Sequence, residues 1–111
     1  MVKFEKNKLI INGVVIKEFN YQIRTIVEVE DTIIVLLEIP FDNTIEKNNI
    51  VAVDFQGKII WIINNHGYVK NNLPFEQMIF KDGWIYASDF YARRFKINYR
   101  TGDIENVTIA K

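Results

Sequence analysis

The side chains able to do chemistry are few and dispersed. The chain holds one histidine, His66, one serine, Ser88, and no cysteine. A metal centre needs three or four suitable ligands, and here a second imidazole and every thiolate are missing. His66, in Asn64-Asn65-His66-Gly67-Tyr68, therefore reads as an exposed loop residue. Ser88 precedes Asp89 on a predicted strand, outside the Gly-x-Ser-x-Gly turn that activates a serine nucleophile, so a Ser-His-Asp triad is not expected. Paired carboxylates can cleave glycosidic bonds, but the acids here fall at turns or alternate along strands, where solvated charge belongs. The five glycines are scattered, and no helix follows any of them to form a phosphate site. The residues predict no catalytic site, no cofactor and no metal.

One cluster interleaves cations with rings that could stack on bases: Tyr91-Ala92-Arg93-Arg94-Phe95-Lys96-Ile97-Asn98-Tyr99-Arg100. Strand alternation explains it without a nucleic acid. Phe95, Ile97 and Tyr99 would face one side and Arg94, Lys96 and Arg100 the other, as in any amphipathic strand. Fourteen basic and fourteen acidic residues cancel, so no global field attracts nucleic acid or an anionic membrane.

The distribution of charge is less even. Residues 1–27 carry a net charge of +3, whereas residues 28–54 hold Glu28, Glu30, Asp31, Glu38, Asp42, Glu46 and Asp54 against Lys47 alone, a net of −6. Alternating strands display such charge on their solvent face without any partner; the sharper reading is an acidic surface that binds a basic protein, since complementary charge speeds encounter and specifies a partner. Glu30, Asp31, Asp42 and Glu46 would supply its electrostatics. Two connections, 40–49 and 64–74, are longer than the turns around them, and loops of that length in a compact meander tend to carry function. Phe41 and Tyr68 lie in them and are the expected aromatic anchors.

The elements that must position these residues are strands. Apolar positions follow period 2 or form short β-branched runs, and nineteen isoleucines suit a pleated surface better than a helix. Asn12-Gly13, Asp31-Thr32, Gln56-Gly57, Asp82-Gly83 and Arg100-Thr101-Gly102 punctuate the chain as hairpin turns. The pattern predicts about nine or ten antiparallel strands in up-and-down order, an all-β domain without disulfides. The first residues contain no uninterrupted apolar leader, and no apolar run approaches the roughly 20 residues of a membrane helix, which predicts a cytoplasmic protein.

Asn49 to Trp61 can be laid over Arg94 to Asn106, each reading strand, Asp or Asn, glycine turn, strand. Val29 to Val35 and Phe80 to Tyr86 match as hairpins around an acidic turn. This resembles the four-stranded blade of quinoprotein-like β-propellers, with Ala52-Val53-Asp54, Gly57 and Trp61 carrying the likeness. Residues 1–25 then form N-terminal hairpins, 26–63 a first blade-like unit and 75–110 a second. Two blades cannot close a ring, so an open twisted sheet or small sandwich follows. The acidic hairpin, the strand pair Val-Asp-x-x-Gly-Lys-Ile-x-Trp and the final Thr-Gly turn also resemble small bacterial immunity proteins. That resemblance implies a cytosolic inhibitor that occludes a cognate toxin. The alternative is a structural module, homodimeric through its open sheet edges.

Overall fold

The computed structural model describes residues 1–39, 48–64 and 73–109. Eleven strands occupy them: β1 (Val2–Glu5), β2 (Lys8–Ile11), β3 (Val14–Glu18), β4 (Ile23–Val29), β5 (Thr32–Leu37), β6 (Ile50–Val53), β7 (Ile59–Ile62), β8 (Phe75–Lys81), β9 (Trp84–Asp89), β10 (Arg93–Ile97) and β11 (Ile104–Ile109). The count exceeds the expected nine or ten because the opening segment forms three strands. Lys6 takes φ +56 in the β1–β2 turn, and the Asn7 side-chain amide donates to the Phe19 carbonyl at 2.8 Å, tying that turn to the end of β3.

Every pairing is antiparallel between neighbours in sequence. The result is three open sheets, ordered β1-β2-β3, β4-β5-β6-β7 and β8-β9-β10-β11. They stack as layers, with the β4–β7 sheet in the middle. Its strands β5 and β6 read Thr-Ile-Ile-Val-Leu-Leu and Ile-Val-Ala-Val with almost no polar alternation, because both faces are covered. Ile34, Leu36, Ile50 and Ala52 pack with Phe75, Met78, Ile85, Phe95 and Ile97 of the β8–β11 sheet. Ile33, Val35, Leu37, Val51 and Val53 pack on the other side with Leu9 and Phe19 of the N-terminal sheet. The β8–β11 sheet alternates, as β9 and β10 show, because its outer face is in water.

Specific contacts fix the layers. Asn49 is fully buried; its amide donates to the Leu37 and Phe75 carbonyls, both at 2.7 Å, and accepts from the Phe75 N–H at 2.8 Å. It thereby joins β5 in the middle sheet to β8 in the next. Gly57, at φ +85 in the β6–β7 turn, lies so close to β3 that a Cβ there would collide with the Ile16 carbonyl oxygen. Gly102, at φ +79 in the β10–β11 turn, rests on the Trp61 indole, where a Cβ would come within 2.5 Å of the ring. Both positions demand glycine twice, for backbone conformation and for space.

The two four-stranded sheets repeat one another in topology, but their turns align one residue away from the overlay read from sequence. Val29 pairs with Thr32 around Glu30-Asp31, and Lys81 pairs with Trp84 around Asp82-Gly83. Glu30 thus corresponds to Asp82, and both take positive φ, +54 and +52. Turn chemistry also repeats at a different place. Asp54 Oδ1 accepts from the N–H groups of Gln56 and Lys58, and Asp89 Oδ1 accepts from those of Tyr91 and Arg93. Asp54-Phe55-Gln56-Gly57-Lys58 and Asp89-Phe90-Tyr91-Ala92-Arg93 are the same side-chain-capped turn.

Candidate protein-binding surfaces

Among the described residues, each sheet has two outer strands with no strand paired beyond them. Five of these outer strands carry charge: β1 has Lys3 and Glu5, β3 Lys17 and Glu18, β4 Arg24 and Glu28, β8 Glu76 and Lys81, and β11 Glu105. Charge on an edge discourages pairing with foreign strands. Strand β7, Ile-Ile-Trp-Ile, has none. Trp61 turns inward and is buried, while Ile59, Ile60 and Ile62 are 43%, 46% and 51% exposed. The register shifts where Val53 pairs with Ile59 and Ala52 with Trp61, so Ile60 is a bulged residue. The bulge bends the strand and partly blunts the edge, but no charged side chain of β7 reinforces it. Ile62 also borders a groove of about 330 Å³ whose lining among the described residues is uncharged: Leu37, Ile39, Val51, Phe19 and Tyr21, with Asn20 and Asn48.

Of the acidic residues expected to bind a partner, Glu30 is engaged within the chain. Its carboxylate accepts from the Tyr99 hydroxyl at 2.8 Å and lies 3.5 Å from the Arg100 guanidinium. That hydrogen bond, with desolvation and the Glu30 charge behind it, raises the Tyr99 hydroxyl above its ordinary pKa, against an opposing pull from Arg100. Glu38 pairs with Arg24 at 3.2 Å, and Asp54 caps its own turn. Glu28 and Asp31 remain as exposed carboxylates near the β4–β5 turn. Phe41, Asp42, Glu46 and Tyr68, together with His66, lie outside the described residues. Among the described residues, no three His, Cys, Asp or Glu side chains gather as metal ligands, and no helix is long and apolar enough to cross a membrane.

A family model described as "Domain of unknown function (DUF7957)" matches residues 1–109. The chain belongs to this family. The DUF7957 match runs through all three sheets, so the N-terminal hairpins are part of the family's unit together with the two four-stranded meanders. No curated protein and no solved structure matches the chain.

Two features of this DUF7957 chain were hidden from sequence reasoning. Asn49 lies at the end of a long connection, and only its position just before β6 hints that its side chain faces inward. The isoleucines of β7 look like any buried strand; what exposes them is the absence of a strand beyond β7 among the described residues. Within β10 the basic cluster divides as alternation predicted, but beyond the strand Tyr99 and Arg100 do not part to opposite sides and both meet Glu30. Phe95 and Ile97 are buried and Arg94 is exposed, while Arg93 turns in to meet the buried Asp89, Nε to Oδ2, at 2.8 Å.

Proposed function

We propose that this chain is a cytosolic protein-binding domain with no reaction of its own, and that β7 is where a partner's extended strand pairs. The observation that carries this reading is the uncharged edge: among the described residues β7 is the one outer strand without a charged residue, and it presents three isoleucines to solvent. Added strands gain affinity from backbone hydrogen bonds and specificity from pockets for alternate side chains. The groove beside Ile62 offers such a pocket. The occupant in this reading is a strand of a different protein; a second copy pairing through the same edge is the alternative. Co-expression with the product of the neighbouring gene tests this. The expected result is a complex that is lost when Ile60 and Ile62 are both replaced by lysine. A chain that purifies alone, or a complex indifferent to both lysines, contradicts the reading.

Toxin neutralisation is the specific form of this role that the resemblance to immunity proteins supports. The exposed Glu28 and Asp31 favour it, as a negative tip that would meet a basic toxin domain. Survival of cells expressing the product of the neighbouring gene is the readout. Protection should weaken when Glu28 and Asp31 are both changed to lysine, and unchanged protection contradicts the assignment.

A further inference from the structure

The outer face of the β8–β11 sheet carries a second surface, with different chemistry from β7. Cross-strand pairing of Gln77 with Ser88, Ser88 with Arg94, Ile79 with Tyr86 and Tyr86 with Lys96 sets these side chains side by side. A concavity of about 300 Å³ lies among them, lined by Gln77, Ile79, Lys81, Tyr86, Ser88 and Arg94, with Asp82 at the hairpin end. Ile79, 57% exposed, contributes apolar surface to it.

Arginine pairing singles this place out. Arg24 meets Glu38, Arg93 meets Asp89 and Arg100 meets Glu30. Arg94 makes no ion pair, ring contact or side-chain hydrogen bond among the described residues, and the same holds for Lys81 and for the tips of Gln77, Tyr86 and Ser88. Residues bearing two cations, two hydroxyls and an amide, none of them paired among the described residues, therefore line one hollow, with Gln77, Ser88 and Arg94 in one row and Lys81 further along β8.

We infer that this hollow binds a carboxylate presented by a partner protein, an Asp or Glu side chain whose stem lies on Ile79 and whose oxygens meet Arg94. A guanidinium fork matches a carboxylate with two parallel hydrogen bonds. Ser88 and Gln77, on the same cross-strand row as Arg94, can donate to the remaining lone pairs, and Lys81 adds charge from the end of β8. A polyanion fits poorly. Asp82 stands at the rim, the chain has no net charge, and Lys96 Nζ sits 4.3 Å from the Trp84 ring centroid, covering a face on which a base would stack. The inference rests on the protein-binding reading, but not on β7.

Titration of the ¹⁵N-labelled full chain with a capped peptide of alternating valine and glutamate tests it. The expected result is movement of the Arg94 Nε–Hε signal and of the Ser88 and Gln77 amides, with affinity falling roughly tenfold or more in Arg94→Gln. The same peptide with glutamine in place of glutamate should leave those signals still. Oligothymidylate or inorganic phosphate moving them while the peptide does not would overturn the carboxylate assignment. So would peptide binding that Arg94→Gln leaves unchanged, or an absence of movement with every probe. Because Ile60 and Ile62 are untouched, failure here with strand capture at β7 intact refutes this site alone.

Discussion

The Trp61 indole N–H donates to the Tyr99 backbone carbonyl at 2.9 Å, joining β7 of the middle sheet to the turn after β10 in the outer one. Gly102 lies against the same ring. One side chain thus both anchors the candidate binding edge and docks the last hairpin. Trp61→Phe keeps most of the apolar contact and removes the donor, for an expected loss of about 1–2 kcal/mol. Gly102→Ala should cost at least as much, because its Cβ has neither conformational freedom nor room. Urea unfolding of both variants measures the difference.

Asn49 saturates two carbonyls and an N–H that have no water to turn to. Asn49→Ala should destabilise the chain by about 2–4 kcal/mol, since the orphaned groups keep their desolvation cost. Asn49→Asp should be no milder, as it sets carboxylate oxygens against the Leu37 and Phe75 carbonyls. A loss under about 0.5 kcal/mol in denaturant titrations, the range of ordinary surface substitutions, would show that the two sheets do not depend on this bridge.

The buried Asp89–Arg93 pair makes a similar prediction with a different cause. Asp89→Ala removes the acceptor of two turn N–H groups and leaves the largely buried guanidinium without its carboxylate, which typically costs about 3–5 kcal/mol. Arg94→Ala, one residue on and exposed, should change stability by less than about 0.5 kcal/mol. Thermal unfolding of the two variants side by side checks the contrast.

Tyr99 gives the pH dependence. Its hydroxyl is a donor to Glu30 only while protonated, and the folded state raises its pKa above the ordinary value of about 10. The contact's contribution is therefore complete below the unfolded tyrosine pKa and lost as pH rises through the folded one. Ultraviolet titration of the five tyrosines should show a step above the ordinary range. That step disappears in Tyr99→Phe and moves back toward ordinary in Glu30→Gln, which removes the neighbouring charge. A profile that Tyr99→Phe leaves unchanged contradicts the assignment.

Much of the fold is legible in the sequence because local chemistry and tertiary structure agree. Asn12-Gly13 and Asp82-Gly83 mark their hairpins and take the positive φ angles their types favour. The overlay of the two meanders slips by one residue at Glu30, since glutamate is not a turn residue and nothing local foretells its φ of +54. The layered stacking is harder to read. Ile33 to Leu37 announces a strand, but only the covering sheets make it a central one. Charge runs mislead for a related reason: Glu30, Glu38 and Asp54 contribute to a net charge of −6 in sequence, yet each is engaged by a partner inside the chain. Conversely, the exposure of Ile59, Ile60 and Ile62 and the unpaired state of Arg94 depend on what does not lie beside them, which no residue pattern encodes.

The most direct test of the binding edge is selection of a displayed random peptide library on the folded chain, with the Ile60→Lys, Ile62→Lys double variant as counter-selection. Binding at β7 predicts enriched peptides that are uncharged across their central residues and lose affinity on the variant, with amide exchange slowed at residues 59–62 in the complex. Peptides that bind both chains equally, or that slow exchange elsewhere while residues 59–62 exchange as in the free chain, would contradict it.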